Sequence, residues 1–401
     1  MAKRKKSRKN SKVASRLVIA LIIILVVVIG VLLALYFTDN LPESISAPIK
    51  NIIDSILSEK DPSTGNKKPT QNIIEPSGIA EGDLVVQFID VGQGDCIYVR
   101  FPDGDEMLID AGNASGSSGS GEYKDSMLSI LDTLVTDDRI EHLMLTHCDK
   151  DHVSYMDEVI ANFEVKKFYM PNVLAVPTSS EWATKINSLP SSKTSLFTDK
   201  DTVDTTAYAA FFYGALTEAD STFVLNVGDF SITGEGYSLD FYCYDESEWE
   251  NTDISTAEEK NAISPIGILN CHNKKIVLTG DSNEINEEYW IEHMKEDYGL
   301  NLLNCDVLKV GHHGSSTSTT TEFLDFIDCE YAVISCNEDG NTYIHPRQDT
   351  LDRIKAADCG LYRTDMHGSV VLVVNASGLT FTTEHTPDSE AIWVGADKDA
   401  D

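Results

Sequence analysis

Past residue 81 the chain is a succession of short apolar runs separated by polar turns. Leu84–Asp90, Cys96–Phe101, Glu106–Asp110, His142–Thr146, Phe168–Met170, Leu239–Tyr244, Ile263–Asn270, Lys275–Thr279, Asp306–Val310 and Tyr331–Ser335 are too short for buried helices and predict strands. Ser369–Asn375 and Leu379–Thr383 predict a closing hairpin. Apolar residues recur at helical spacing in Tyr123–Val135, at Met127, Ile130, Leu131 and Leu134, and helices are also predicted over Glu284–Met294, Thr320–Ile327 and Pro346–Ala356. Residues 172–235 are polar, rich in Ser and Thr, and show no clear period. Strands with interspersed helices predict an α/β (α+β) domain, two sheets packed face to face with helices outside, a four-layer αββα sandwich.

The N-terminus follows a different pattern. Residues 1–16 carry eight basic and no acidic side chains, and Leu17 to Phe37 then run 21 residues without a charge. As a helix that run would measure roughly 31 Å, about one bilayer core. The context Thr38-Asp39-Asn40-Leu41-Pro42 is poor for signal cleavage, and no cysteine precedes Cys96. The expected organisation is a cytoplasmic basic flank (1–16), a single transmembrane anchor (17–37), a Pro/Gly-containing linker (38–81), the globular domain (82–384) and an acidic tail (385–401) that is expected to fray. A cleaved signal peptide is the competing reading. All 65 acidic residues lie beyond Phe37 against 23 basic ones, a net −42 for the part expected outside the cell. Such a surface repels polyanions unless a basic patch or bound cations intervene. Eight cysteines, none in a CxxC pair, read mostly as small core residues.

The candidate chemistry lies at strand ends. After Leu143-Met144-Leu145-Thr146 come His147, Asp149, Asp151 and His152, four metal-capable side chains within six residues. Two more apolar runs end similarly, Ile276–Thr279 at Gly280-Asp281 and Asp306–Val310 at Gly311-His312-His313-Gly314. Imidazole and carboxylate are the ligands of hydrolytic divalent ions. Individually, Asp281 could instead cap the helix that follows, and the histidines could be surface residues. Three strand ends with this composition point to a two-metal hydrolase.

These segments, with Phe88-Ile89-Asp90-Val91-Gly92-Gln93-Gly94-Asp95 and Leu108-Ile109-Asp110-Ala111-Gly112, resemble the metallo-β-lactamase superfamily. Within it they are most similar to the hydrolase domain of the ComEC-type DNA-internalisation proteins, as are Asn261, Ser264, His345-Pro346 and Arg363-Thr364-Asp365 with Gly368. Asp90, Asp95, Asp110 and Asn261 support the motif. The sequence departs from the common superfamily box HxHxDH in having Asp149 at the second position. The only histidine between His152 and Asp281 is His272, in a predicted hairpin turn, and it is not counted as a ligand.

The resemblance implies a first site of His147, Asp149 and a bridging Asp281. The second would hold Asp151, His152, Asp281 and one histidine of the pair, His312 as the nearer to the strand, with His313 the alternative ligand or a substrate contact. A carboxylate-rich set makes Mn²⁺ a competitor of Zn²⁺. Two such ions would activate a hydroxide that Asp151 or Asp281 orients. His345 is expected to contact a phosphoryl oxygen or protonate the leaving group, and Ser315 and Thr317 to bond a phosphate. The expected activity is phosphodiester hydrolysis outside the membrane, on nucleic acid or on a cell-envelope polymer of the teichoic-acid kind. A β-lactam substrate and a non-catalytic, metal-stabilised binding module are weaker alternatives. A single span cannot itself form a DNA channel.

Overall fold

The computed structural model describes residues 79–113, 121–147, 149–171, 222–226, 229–244, 261–337 and 344–396. The predicted anchor and most of the linker fall outside these residues; among the described ones no helix is long and apolar enough to cross a membrane.

The strands form two sheets. The first runs β15-β14-β1-β2-β3-β4-β5-β6, from β1 (Leu84–Phe88), β2 (Ile97–Arg100), β3 (Glu106–Ile109), β4 (Arg139–Met144), β5 (Glu164–Pro171), β6 (Thr222–Asn226), β14 (Val370–Asn375) and β15 (Gly378–Thr383). The second runs β13-β12-β11-β10-β9-β8-β7, from β7 (Phe230–Gly234), β8 (Tyr237–Tyr242), β9 (Ile266–Cys271), β10 (Lys274–Leu278), β11 (Val307–Lys309), β12 (Tyr331–Ile334) and β13 (Gly360–Arg363). In each sheet one side is antiparallel and the other parallel: β3-β4-β5-β6 in the first, β10-β11-β12-β13 in the second.

Period-two alternation sorts the side chains. Leu84, Val86 and Phe88 of β1 point to the same inter-sheet core as Leu239 and Phe241 of β8, Leu269, Ile276 and Val307. The outer face of the first sheet packs Leu108 and Leu143 against Met127, Ile130 and Leu131 of α1 (Gly121–Leu134) and Met156 and Val159 of α3 (Met156–Asn162). The outer face of the second packs Ile268, Val277 and Leu308 against Trp290 and Met294 of α4 (Glu284–Glu296), Phe323 and Ile327 of α5 (Thr321–Ile327), and Leu351 and Ile354 of α6 (Gln348–Ala356). This is the expected four-layer αββα order. Each large apolar side chain so buried contributes about 1.5–3 kcal/mol.

Three features differ from the sequence-based expectation. Strands β6 and β7 emerge from the polar stretch without a clear period, and β13 lies where no element is predicted. Two short helices are also present: α2 (Lys150–Val153), which carries Asp151 and His152 of the strand-end box, and α3 after it. The acidic C-terminal stretch is docked as far as Ala396: Arg363 donates to the Ile392 and Val394 carbonyls, and Ala396 exchanges backbone bonds with Pro346 and Gln348. Carbonyl bonding and the packing of Ile392 and Trp393 against the outer core of the second sheet together hold it.

Candidate metal centre

The strand ends that carry the candidate ligands meet at one edge of the sandwich, the carboxyl ends of β4, β10 and β11. Asp151, His152, Asp281 and His313 converge there, each offering one ligand atom within 4.8 Å of the others. His152 Nε2 lies 3.1 Å from Asp281 Oδ1 and 3.2 Å from His313 Nε2; His313 Nε2 lies 3.4 Å from Asp151 Oδ2. On the other oxygen of Asp281, His147 Nε2 stands at 3.6 Å and His312 Nε2 at 3.8 Å. Asp281 thus faces four imidazoles. The helix after it is capped by Asn283, whose side chain accepts from Ile285 N, so the capping alternative for Asp281 does not hold.

The two histidines of the 311–314 turn separate. Both adopt left-handed backbone, φ 47° for His312 and 53° for His313, so successive side chains diverge. His313, fully buried, enters the four-residue cluster, whereas proximity to the strand favours His312 in the sequence. His312 is the more exposed of the two, within reach of the Asn261 amide, and its ring meets that of His345 edge-on at 5.3 Å. Asp149 precedes α2 and accepts backbone bonds from His152 and Val153 through its carbonyl; its carboxylate is in neither group of clustered ligands found among the described residues. Ser315 and Thr317 bond each other, Oγ to Oγ1 at 3.1 Å. His272 sits in the β9–β10 turn with Nε2 2.9 Å from the Gly82 carbonyl oxygen.

The rings are held from behind. Asp110 takes His152 Nδ1 at 2.7 Å and accepts from Thr146 N and Thr146 Oγ1 at 2.7 and 2.6 Å. His313 Nδ1 lies 2.9 Å from the Ser335 carbonyl oxygen and 3.5 Å from Asp95 Oδ1. Asp95 in turn pairs with Lys309, whose amine is wholly buried at 2.8 Å. Ser264 Oγ stands 3.2 Å from His147 Nδ1 and accepts from Asp281 N. Each Nδ1 of His147, His152 and His313 therefore faces a protein partner while each Nε2 points into the site, the orientation seen where imidazoles bind metals. His147 Nε2 and Asp281 Oδ1 are buried without a hydrogen-bond partner, as donor atoms awaiting a cation would be. In the sequence Asp110 and Asp95 stand only as motif support; a carboxylate beside a strand end gives no cue to which ring it will orient. Gly94 and Gly112 let this scaffold close, because a Cβ on either would collide with the Asp151 backbone.

The electrostatics agree. Burial, with His152 adding to it, pushes His147 down to about 4, so its imidazole is neutral. Burial also opposes the charged form of His152, but Asp281 and Asp110 outweigh it and raise its pKa well above the ordinary value. Burial opposes ionisation of Asp281 too, yet His152, His313 and His312 hold its pKa well below the usual carboxylate range.

Two expected results follow from the residues that support the rings. Asp110→Asn puts an amide where three donors converge, and should weaken metal affinity by about 10–100-fold, read by chelator competition; unchanged affinity would remove Asp110 from this role. Glu287 of α4 accepts from Thr319 N, Thr320 N and Thr320 Oγ1, tying down the loop after His313, while Arg353 donates to the carbonyls of Ser316, Ser318 and Thr319. Burial pushes Glu287 up to about 7, with Thr320 and Thr319 bonds pulling the other way. At pH 8 Glu287→Gln sets an amide N–H against those donors, and should lose about 1–3 kcal/mol in denaturant unfolding.

The family model described as the metallo-beta-lactamase superfamily matches residues 89–256. ComE operon protein 3 of Bacillus subtilis is 26% identical over 310 residues, 74% of this chain, and competence protein ComA of Neisseria gonorrhoeae is 36% identical over 104 residues, 26% of this chain. Residues 89–256 thus match a metallo-β-lactamase domain. The chain is similar to these competence proteins, though it spans only 34% of the length of the first and 14% of the second. Among solved structures, the metallo-beta-lactamase fold protein YhfI of Bacillus subtilis aligns at 10% identity over 70% of this chain and 95% of its own, with a TM-score of 0.39. The superfamily and the clustered ligands together make this a metal-dependent hydrolase fold with a candidate site for divalent ions.

Proposed function

We propose that the protein is a membrane-anchored, extracytoplasmic phosphodiesterase, nuclease-like in its chemistry. The observation that carries the reading is the Asp151, His152, Asp281 and His313 cluster, held by Asp110 and Asp95, in a chain related to competence proteins. Those four residues would hold one divalent ion, and His147 with the second oxygen of Asp281 would contribute to a neighbouring one, Asp149 being the further candidate. Zn²⁺ and Mn²⁺ both suit such a mixed nitrogen and oxygen set. Bound there, the ions would acidify water and neutralise charge on a phosphodiester. The chain's own part is to fix that geometry. Asp110, Ser335 and Ser264 set the ring orientations, Asp281 spans the two ligand groups, and His345 borders the site through His312.

A cell-envelope polymer, or another short phosphodiester, is the second reading of the substrate, favoured by the net −42 beyond Phe37, which repels long nucleic acid. Metal analysis of the full chain, followed by assay on bis-p-nitrophenyl phosphate, DNA and a β-lactam, tests the activity. Metal-dependent cleavage of the first is expected, and metal binding without turnover on any phosphodiester would leave a metal-stabilised binding module. A protease added to intact cells should remove the domain and spare the first 37 residues; a fully protected chain would overturn the topology.

A further inference from the structure

Cys329 and Cys359 lie just before β12 and β13, the parallel pair at one edge of the second sheet. Tyr331 pairs with Gly360, so the two cysteines precede the same rung of one ladder. Their sulfurs are 2.9 Å apart, and both residues are buried, 6% and 4% exposed. Adjacent strands lie about 4.8 Å apart, within the Cα separation that disulfides span. Cys305 Sγ donates to the Val307 carbonyl at 3.0 Å and Cys359 Sγ to the Cys329 carbonyl at 2.9 Å, so what sets the Cys329–Cys359 pair apart is the contact between their sulfurs. Cys96 and Cys271 belong to other cores of the sandwich. Neither Cys329 nor Cys359 has a part in the metal cluster.

We propose that Cys329 and Cys359 form an intramolecular disulfide that staples the edge strand β13 to β12. One thiolate attacks the disulfide of an oxidised thiol carrier, giving a mixed disulfide. The second thiolate then displaces the carrier's sulfur and closes the Cys329–Cys359 bond. The two cysteines give up two protons and two electrons, and the carrier leaves as its dithiol. Such a bond persists in an oxidising compartment. The staple lies at the start of two strands whose far ends matter to the site: Ser335, after β12, receives His313, and Arg363, closing β13, clamps the C-terminal stretch. The proposal is independent of the substrate.

The test uses the full chain equilibrated with oxidised glutathione, quenched in acid, denatured, alkylated at free thiols, and mapped as peptides without reduction. The expected product is a linked Cys329–Cys359 peptide pair that separates on reduction. Recovery of both cysteines in alkylated form, or of either linked to Cys305, would overturn the proposal. Cys305→Ser should leave the link intact. Closing a loop of this length predicts a melting midpoint about 5 °C lower for the reduced than for the oxidised chain; equal midpoints would show that a linked pair does not staple the strands. Because the mapping uses the unsubstituted chain, its outcome does not depend on how well a cysteine variant folds.

Discussion

Asp281→Ala is expected to abolish both metal binding and turnover, the largest effect of any single change in the protein. Its two oxygens face His152 and His313 on one side and His147 and His312 on the other, so it joins the two ligand groups. Asp151→Ala, His152→Ala and His313→Ala each remove one corner of the buried cluster and should reduce turnover on bis-p-nitrophenyl phosphate to background, with elemental analysis showing a lost ion in an otherwise folded chain. His312→Ala is the informative contrast. It should keep the ion held by the cluster, because His313 closes that group. If instead His312→Ala loses that ion and His313→Ala keeps it, the ligand assignment within the pair is reversed; wild-type rates in Asp151→Ala and His152→Ala would sink the two-metal reading altogether.

The second large effect concerns His345. Burial pushes its pKa down to about 3, and His312 and His313 add to the shift. A histidine that is neutral near pH 7 is a poor acid for a leaving group, so the structure favours one of the two roles expected from sequence: an imidazole N–H donated to a phosphoryl oxygen. Loss of one such donor costs about 10²–10³-fold in rate. His345→Ala should therefore slow turnover by that factor with full metal content. The loss should be the same for p-nitrophenolate and for an alkoxide leaving group. A loss that shrinks with the better leaving group would restore the proton-donor role, and a missing ion would make His345 a ligand.

Much of this site is legible in the chain because its ligands follow apolar runs that can only be strand ends. Thr146, Thr279 and Val310 each mark the point where a buried strand gives way to a polar loop, and composition identifies the three loops as one site. The division of labour between His312 and His313 is not legible, since it depends on two consecutive left-handed residues that no propensity favours. The orienting carboxylates are hidden for a related reason: Asp110 and His152 are 42 positions apart and meet only through the β3–β4 pairing. In the fold, the central strands declare themselves by continuous apolar runs, whereas β7 buries only Ile232 and β13 alternates buried Leu361 and Arg363 with half-buried neighbours, leaving little pattern to read.

The place of β1 in its sheet bears on the order of events during synthesis. It is the first strand among the described residues, yet its ladder partners are β2 on one side and β14 on the other, with Leu84 opposite Val374 and Phe88 opposite Val370. One flank of this strand therefore stays unpaired until β14 has left the ribosome. Pairings of such sequence separation form slowly. The first sheet cannot close along β1 before the β14–β15 hairpin docks, so completion of that layer waits on the hairpin.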